Sequence, residues 1–311
     1  MKYLVTGGAG FIGSHIASAL VEQGEEVRVL DNLSTGRIEN LAHLDGKVEF
    51  LEGDLLDRKA VESAVQEVEV VYHQAALASV PRSVARPMDT HAACVTGTLN
   101  VLDASRLAGV RRVVYAGSSS AYGNQPFSSK RETDLPAPLS PYAAAKFAGE
   151  SYCRAFAATY GLETVVIRYF NVFGPRQDPH SEYSAVIPIF VTAMLAGKRP
   201  TIYGDGKQSR DFTYIENVVR GNLAAAVAPD VSGRVFNVAC GSQFTLLDLV
   251  AAINQVLGTK IEPQFAEARV GDVRESLADI TAARKCLGYE PVVDFTEGLR
   301  RSIEYYRDLS R

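Results

Sequence analysis

Tyr142 and Lys146 stand four residues apart in Ser140-Pro141-Tyr142-Ala143-Ala144-Ala145-Lys146. Ser140 suits an N-cap and Pro141 a first helical residue, so both side chains leave one face of a helix near its start. A phenol there feels the positive end of the helix dipole and a neighbouring ammonium. Both effects favour phenolate, which predicts a lowered pKa and a general base for a hydroxyl proton. Upstream, the apolar run Val113-Val114-Tyr115-Ala116 passes into Gly117-Ser118-Ser119-Ser120-Ala121-Tyr122-Gly123. Hydroxyls at the carboxyl end of a buried strand lie where open α/β sheets bind ligands, and there they can orient a substrate alcohol.

A second constellation opens the chain. Thr6-Gly7-Gly8-Ala9-Gly10-Phe11-Ile12-Gly13 follows a short apolar strand and begins a helix, so backbone amides and the helix dipole can hold a pyrophosphate. Two spacings are present: Gly8, Gly10 and Gly13 satisfy GxGxxG, and Gly7, Gly10 and Gly13 satisfy GxxGxxG. Asp31 ends the second strand, where an acid hydrogen-bonds ribose hydroxyls and repels a 2′-phosphate, so NAD is preferred over NADP. Asp54 ends the third strand and either lies near the adenine by the same argument or caps the next helix.

These groups need a scaffold, and the first half supplies one. Strand patterns at 3–5, 26–30, 48–50, 68–72, 112–115 and 164–167 alternate with helical patterns at 11–23, 58–67, 90–108 and 141–160. That alternation predicts an α/β protein with a doubly wound parallel sheet. After residue 175 prolines break the chain into shorter elements. The expected division is 1–175 for the dinucleotide domain, with 207–239 returning to it, and a smaller C-terminal α/β domain from 176–206 and 240–311.

Composition excludes several alternatives. Thirty-two Lys and Arg against 36 Asp and Glu in 311 residues leave a net charge of −4, with no bulk positive field for nucleic acid or anionic lipid. The N-terminus lacks the apolar core of an export signal, and no apolar run is long enough to span a bilayer. Cys94, Cys153, Cys240 and Cys286 form no CxxC pair, and His15, His43, His73, His91 and His180 have no ligand spacing. A cytoplasmic protein without a metal site is expected.

The sequence resembles the extended short-chain dehydrogenase/reductase superfamily, and within it the UDP-hexose 4-epimerases. The likeness runs nearly end to end, through TGGAGFIGSH at 6–15, DNLSTGR at 31–37, SSSAYG at 118–123, SPYAAAK at 140–146, RYFNVFGPRQDP at 168–179, GDGKQSRDFTYI at 204–215 and GDVRESLADI at 271–280. The resemblance implies a Rossmann-type fold, a smaller C-terminal substrate-binding domain and a homodimer packed through the 90–108 and 141–160 helices. It implies hydride removal from C4 of a UDP-sugar by tightly held NAD, rotation of the 4-keto sugar, and hydride return to the opposite face. Tyr142 would take the sugar proton, Lys146 would hold the nicotinamide ribose and tune Tyr142, and Ser118, chosen by counting back from Tyr122-Gly123, would orient the sugar. Besides the glycines, Phe11, Ile12, Asp31, Asn32, Ser34, Thr35, Gly36, Asp54, Leu55, Gln74, Ala75, Ala76, Ala78 and Phe170 would line the cofactor. Ser79, Ser119, Ser120, Asn171, Val186, Tyr203, Arg210, Arg269, Asp272 and Ser276 would meet the nucleotide sugar.

Related 4,6-dehydratases carry Asp-Glu after the strand-end hydroxyl, and UDP-glucuronate decarboxylases carry a glutamate at the second place. Here Ser119 and Ser120 offer no carboxyl acid, which favours reversible epimerisation. UDP-glucuronate 4-epimerases also have serines there and stay open as an alternative. Ser276 falls where epimerases restricted to UDP-glucose and UDP-galactose have a bulky tyrosine, leaving room for a 2-N-acetyl group. The chain departs from the common pattern at Ala78, where many members have lysine, and at Cys94, where many have asparagine. A dinucleotide sensor lacking catalysis is the alternative of a different class, and intact Tyr142 and Lys146 argue against it.

Overall fold

The computed structural model describes residues 1–125, 129–179, 185–268 and 274–309. Six strands come first: β1 (Lys2–Thr6), β2 (Glu26–Asp31), β3 (Val48–Glu52), β4 (Val70–His73), β5 (Arg112–Ser118) and β6 (Glu163–Tyr169). Short strands follow: β7 (Val172–Phe173), β8 (Thr201–Tyr203), β9 (Ser209–Arg210) and β10 (Thr213–Tyr214). β11 (Arg234–Val238) is long again, and β12 (Phe244–Thr245), β13 (Gln264–Ala266) and β14 (Glu275–Ser276) are short. Helices, in chain order, are α1 (Phe11–Glu22), α2 (Arg58–Ala64), α3 (Val80–Ala85), α4 (Pro87–His91), α5 (Gly97–Leu107), α6 (Pro141–Tyr160), α7 (Val186–Leu195), α8 (Ile215–Val227), α9 (Leu246–Leu257), α10 (Thr281–Leu287) and α11 (Phe295–Leu309).

The main sheet is parallel, with strand order β11-β6-β5-β4-β1-β2-β3. Its strands are runs of Val, Ile and Leu because both faces are covered. Leu4, Leu30, Val71 and Val113 face a core closed by α2, α5 and α6. Their neighbours Val5, Val29, Tyr72 and Val114 face a larger core, which α1, α8 and the C-terminal elements complete. Chain direction across the sheet reverses between β1 and β4, and a crevice opens at the carboxyl ends of strands at such a switch point.

Three small sheets flank this layer: β7 with β10, β8 with β13, and β9 between β12 and β14. The 90–108 region is not one helix. It comprises the end of α4, a π-helical turn at 92–96, and α5. Gly97 packs on Leu55, where a Cβ would stand 2.9 Å from the Leu55 Cβ, and Thr98 Oγ1 donates to the Cys94 carbonyl at 2.8 Å. Close approach to the β3–α2 connection thus accompanies a widened turn, a feature common near functional sites. Among the described residues no helix is long and apolar enough to cross a membrane.

Candidate active site

The crevice is a cavity of about 520 Å³ whose walls come from the β1–α1, β2, β3 and β4 carboxyl ends and the first turns of α6. The glycine turn forms one wall, and here the structure separates the two spacings. Gly7, Gly10 and Gly13 line the cavity, whereas a Cβ on Gly8 would meet Val29 in the core at 2.6 Å. Gly7 has φ +67°, and a Cβ on Gly13 would stand 2.2 Å from the Gly7 carbonyl oxygen, so no larger residue fits this approach of helix to strand. Gly10 is the N-cap of α1, with no acidic side chain in the first turn to cancel the positive end.

Asp31 lies at the end of β2, buried, with its carboxylate accepting from Ala9 N at 3.0 Å and Leu33 N at 2.9 Å. Burial pushes its pKa up and these backbone donors pull it back. The carboxylate also fixes the glycine turn against the 32–36 segment, of which Asn32, Ser34, Thr35 and Gly36 line the cavity. Asp54 accepts Asn32 Nδ2 at 2.7 Å and lines the cavity, while Asp57 is the residue that caps α2. Phe11, Ile12, Leu55, Gln74, Ala75, Ala76 and Ala78 line it as well.

Phe170 is the exception. It is fully buried beside Tyr122, with ring centroids 6.1 Å apart, and Tyr169 takes the cavity wall instead. The Tyr169 hydroxyl lies 3.0 Å from Gln74 Oε1 and 2.9 Å from Asn222 Oδ1. Sequence reasoning also missed Arg82, Asp89, Ala92 and Ala93, which come from α3, α4 and the π turn. Their signal was present in Ser79-Val80-Pro81: Ser79 is the N-cap of α3, its Oγ accepting Arg82 N at 3.1 Å.

Tyr142 and Lys146 reach the cavity from α6, which Ser140 caps by accepting Ala143 N at 3.1 Å. Lys146 Nζ donates to the Ala116 carbonyl at 2.8 Å and sits 5.0 Å from the Tyr115 ring centre. Burial lowers its pKa. Ser118, at the end of β5, lies close enough to Tyr142 to pull the pKa of its phenol down. Ser118 Oγ is 2.8 Å from Ser120 Oγ and accepts Ser120 N at 3.2 Å, and Ser119 lies in the same 3-10 turn, 119–122. The expected lowering of the phenol pKa is corrected here: burial pushes Tyr142 up and outweighs the pull of Ser118.

Apart from Tyr142, the expected substrate residues, Ser79, Ser118, Ser119 and Ser120 included, do not line this cavity. Arg210 and Ser276 are brought side by side by the β9–β14 register, and Arg210 Nη1 donates to its neighbour's Ser209 carbonyl at 2.9 Å. Asn171 (φ 31°) accepts Thr213 N at 3.2 Å, Val186 opens α7, and Tyr203 ends β8. Arg269, Asp272 and His180 lie outside the described residues. Among the described residues no group of three His, Cys, Asp or Glu is placed to hold a metal.

Asp211, next to Arg210, is fully buried and holds the Ser276 strand: its N–H donates to Ser276 O at 2.7 Å and its carboxylate accepts Ala278 N at 3.3 Å. Cys240 N and Gly241 N also donate to it, each at 3.0 Å. Burial nevertheless pushes its pKa up to about 6. The folded protein therefore binds this proton more readily than the unfolded chain, and stability declines as pH rises from about 4 to about 6. Comparing urea unfolding of wild type and Asp211→Asn across that range should give a stability difference that changes by about 3 kcal/mol. A flat difference would contradict the assignment.

A parallel sheet with a glycine turn, an acid at the end of β2 and a tyrosine–lysine pair at its switch point defines a dinucleotide-dependent enzyme architecture. Residues 3–239 match the NAD dependent epimerase/dehydratase family, and the chain belongs to that family. It is 42% identical to a UDP-glucose 4-epimerase of Mycolicibacterium smegmatis, over all of both chains. Its fold matches the UDP-glucose 4-epimerase of Thermotoga maritima with UDP-glucose at TM-score 0.95 and 40% identity, covering 100% of each chain. The UDP-N-acetylglucosamine 4-epimerase of Methanobrevibacter ruminantium, in complex with UDP-N-acetylmuramic acid, also matches at 0.95 and 40%, covering 99% of this chain and 98% of that one. The close glycine approach, the positive helix end and Asp31 fit NAD, the family's cofactor.

Proposed function

We propose that the protein epimerises UDP-hexoses at C4, interconverting UDP-GlcNAc with UDP-GalNAc and UDP-glucose with UDP-galactose. The observation that carries this is Tyr142 and Lys146 together on the cavity wall, with Tyr142 close to Ser118 at the head of a turn that carries no carboxyl group. NAD, held by the glycine turn and Asp31, would supply the acceptor and returning donor of the C4 hydrogen. Tyr142 takes the 4-hydroxyl proton and later returns it, and its raised pKa suits the return. Ser118 orients the hydroxyl, and Lys146, held on the Ala116 carbonyl, secures the ribose side. Arg210 binds the diphosphate, so the hexose can turn over while the nucleotide stays fixed.

Without an acid at Ser119 or Ser120 to protonate a leaving group, dehydration has no proton donor, which supports epimerisation. UDP-glucuronate 4-epimerisation is the second reading, favoured by the same serine turn. For the 2-acetamido sugars the support is Ser276, small and in register with Arg210. We further propose a homodimer through α4–α5 and α6, where Met88, Leu107 and Tyr160 leave apolar surface exposed. Sedimentation would decide it.

Anomeric proton NMR of UDP-GlcNAc and of UDP-glucose with purified protein tests the activity. Growth of UDP-GalNAc and UDP-galactose signals to stable ratios is the expected result; inertness toward both, with turnover of UDP-glucuronate, would move the assignment to the second reading. Ser276→Tyr should depress kcat/KM for the acetamido pair by about 10-fold or more, in line with 1–3 kcal/mol for a steric misfit in a pocket, and leave the plain pair within two- to three-fold. Equal loss on both pairs would remove Ser276 as the gate.

A further inference from the structure

We propose that Asn237 is a positioning residue: from β11, one buried amide fastens the catalytic serine turn to the strand that carries Ser276. This inference rests on the epimerase reading and names what holds the two walls of that site apart. Asn237 is 0% exposed. Its Oδ1 accepts the Tyr122 hydroxyl at 2.7 Å, and Tyr122 is the last residue of the 3-10 turn that begins after Ser118. Its Nδ2 donates to the Lys130 carbonyl at 3.0 Å and to the Asp279 carbonyl at 3.1 Å. Even its backbone N–H is engaged, donating to Glu132 Oε1 at 2.8 Å.

The segment on the far side is fixed in turn. Lys130 N donates to Leu277 O at 2.8 Å and Asp279 N to Lys130 O at 2.9 Å, so residue 130 pairs with the stretch directly after Ser276. With both donors on carbonyls the amide has one orientation, because reversing it would turn its oxygen against the Lys130 and Asp279 carbonyls and break both contacts. Asn237 hydrogen-bonds at once to the serine turn, the 130–132 segment and Asp279 of the 276–279 stretch. The separation between the hydroxyl that orients C4 and the wall beside Arg210 is therefore set by this side chain, in a buried network where one lost partner leaves others unsatisfied.

Two cuts of different depth test it. Tyr122→Phe removes the link from Asn237 to the serine turn, and with it the hydroxyl's interaction with Arg168, while the ring stays under the guanidinium; with any UDP-sugar the wild type epimerises, kcat should fall about 5- to 10-fold with KM unchanged. Asn237→Leu also removes the two bonds to the Lys130 and Asp279 carbonyls, leaving the Ser276 strand to Asp211 and β9 alone, so the same kcat loss should come with a KM raised about 10-fold. The double variant should be no worse than Asn237→Leu, because Tyr122 acts through Asn237. Unfolding midpoints are recorded alongside. A lower midpoint with kcat and KM unchanged in Tyr122→Phe would overturn the proposal, and so would additive losses in the double variant. Should Asn237→Leu not fold, the Tyr122→Phe kcat result alone decides. A wild type inert toward UDP-glucose, UDP-GlcNAc and UDP-glucuronate would instead overturn the epimerase reading, and this inference with it.

Discussion

Tyr142→Phe should lower kcat by about 1,000-fold, the middle of the range for removing a positioned general acid–base, while KM, NAD content and the fold stay near wild type. The geometry isolates the hydroxyl. Its loss leaves Ser118 still paired with Ser120, Lys146 still on the Ala116 carbonyl, and the ring in place on a helix capped by Ser140. Among the described residues beside Tyr142, Lys146 points into a carbonyl and the neutral serine hydroxyls are too weakly basic to take the proton. NMR turnover assays on the variant, with cofactor quantified after acid release, separate chemistry from binding. A kcat within 10-fold of wild type would remove Tyr142 from the proton transfer. Loss of NAD with loss of rate would instead give the hydroxyl a binding role.

The main sheet was legible because parallel strands buried on both faces read as continuous apolar runs with a helix between each pair. The glycine turn was legible in position and ambiguous in detail. Choosing Gly7 over Gly8 needs the backbone angle of Gly7 and the packing of Gly8 on Val29, neither of which a spacing encodes. Tyr169 and Phe170 differ only in strand parity at the end of β6, and the sequence does not say which face meets the cavity. The 90–108 pattern ran the end of α4, the π turn and α5 together as one helix and left α3 and the start of α4 unread, because the break beside Leu55 is made by a tertiary neighbour. The Tyr142 pKa failed for another reason: helix end and ammonium are local and visible, whereas the burial that outweighs them is a property of the folded whole. Asn237 gave no signal at all, since its three partners lie 42 to 115 residues away.

Glu150→Gln should lower the unfolding midpoint by on the order of 10 °C, from a loss of about 3–5 kcal/mol at about 2–4 °C per kcal/mol. Glu150 and Arg168 are 2% and 1% exposed, joined by two bonds, Nε to Oε2 at 3.0 Å and Nη2 to Oε1 at 2.7 Å. The guanidinium also lies 4.4 Å over the Tyr122 ring, so it is enclosed and cannot swing to solvent when its partner is neutralised. An uncompensated buried charge is the costly state, not the absence of the pair. Glu150→Leu combined with Arg168→Met should therefore recover most of the midpoint lost by Glu150→Gln. Glu150 is one turn beyond Lys146 on α6, yet the first turns of that helix are held separately by Ser140 and by the Lys146–Ala116 bond. Turnover well below the transition should accordingly stay within a few-fold of wild type. Thermal unfolding of the single and double variants reads the outcome directly: an unchanged midpoint in Glu150→Gln would mean that the guanidinium is satisfied without the carboxylate and that α6 is held on the sheet by apolar packing alone.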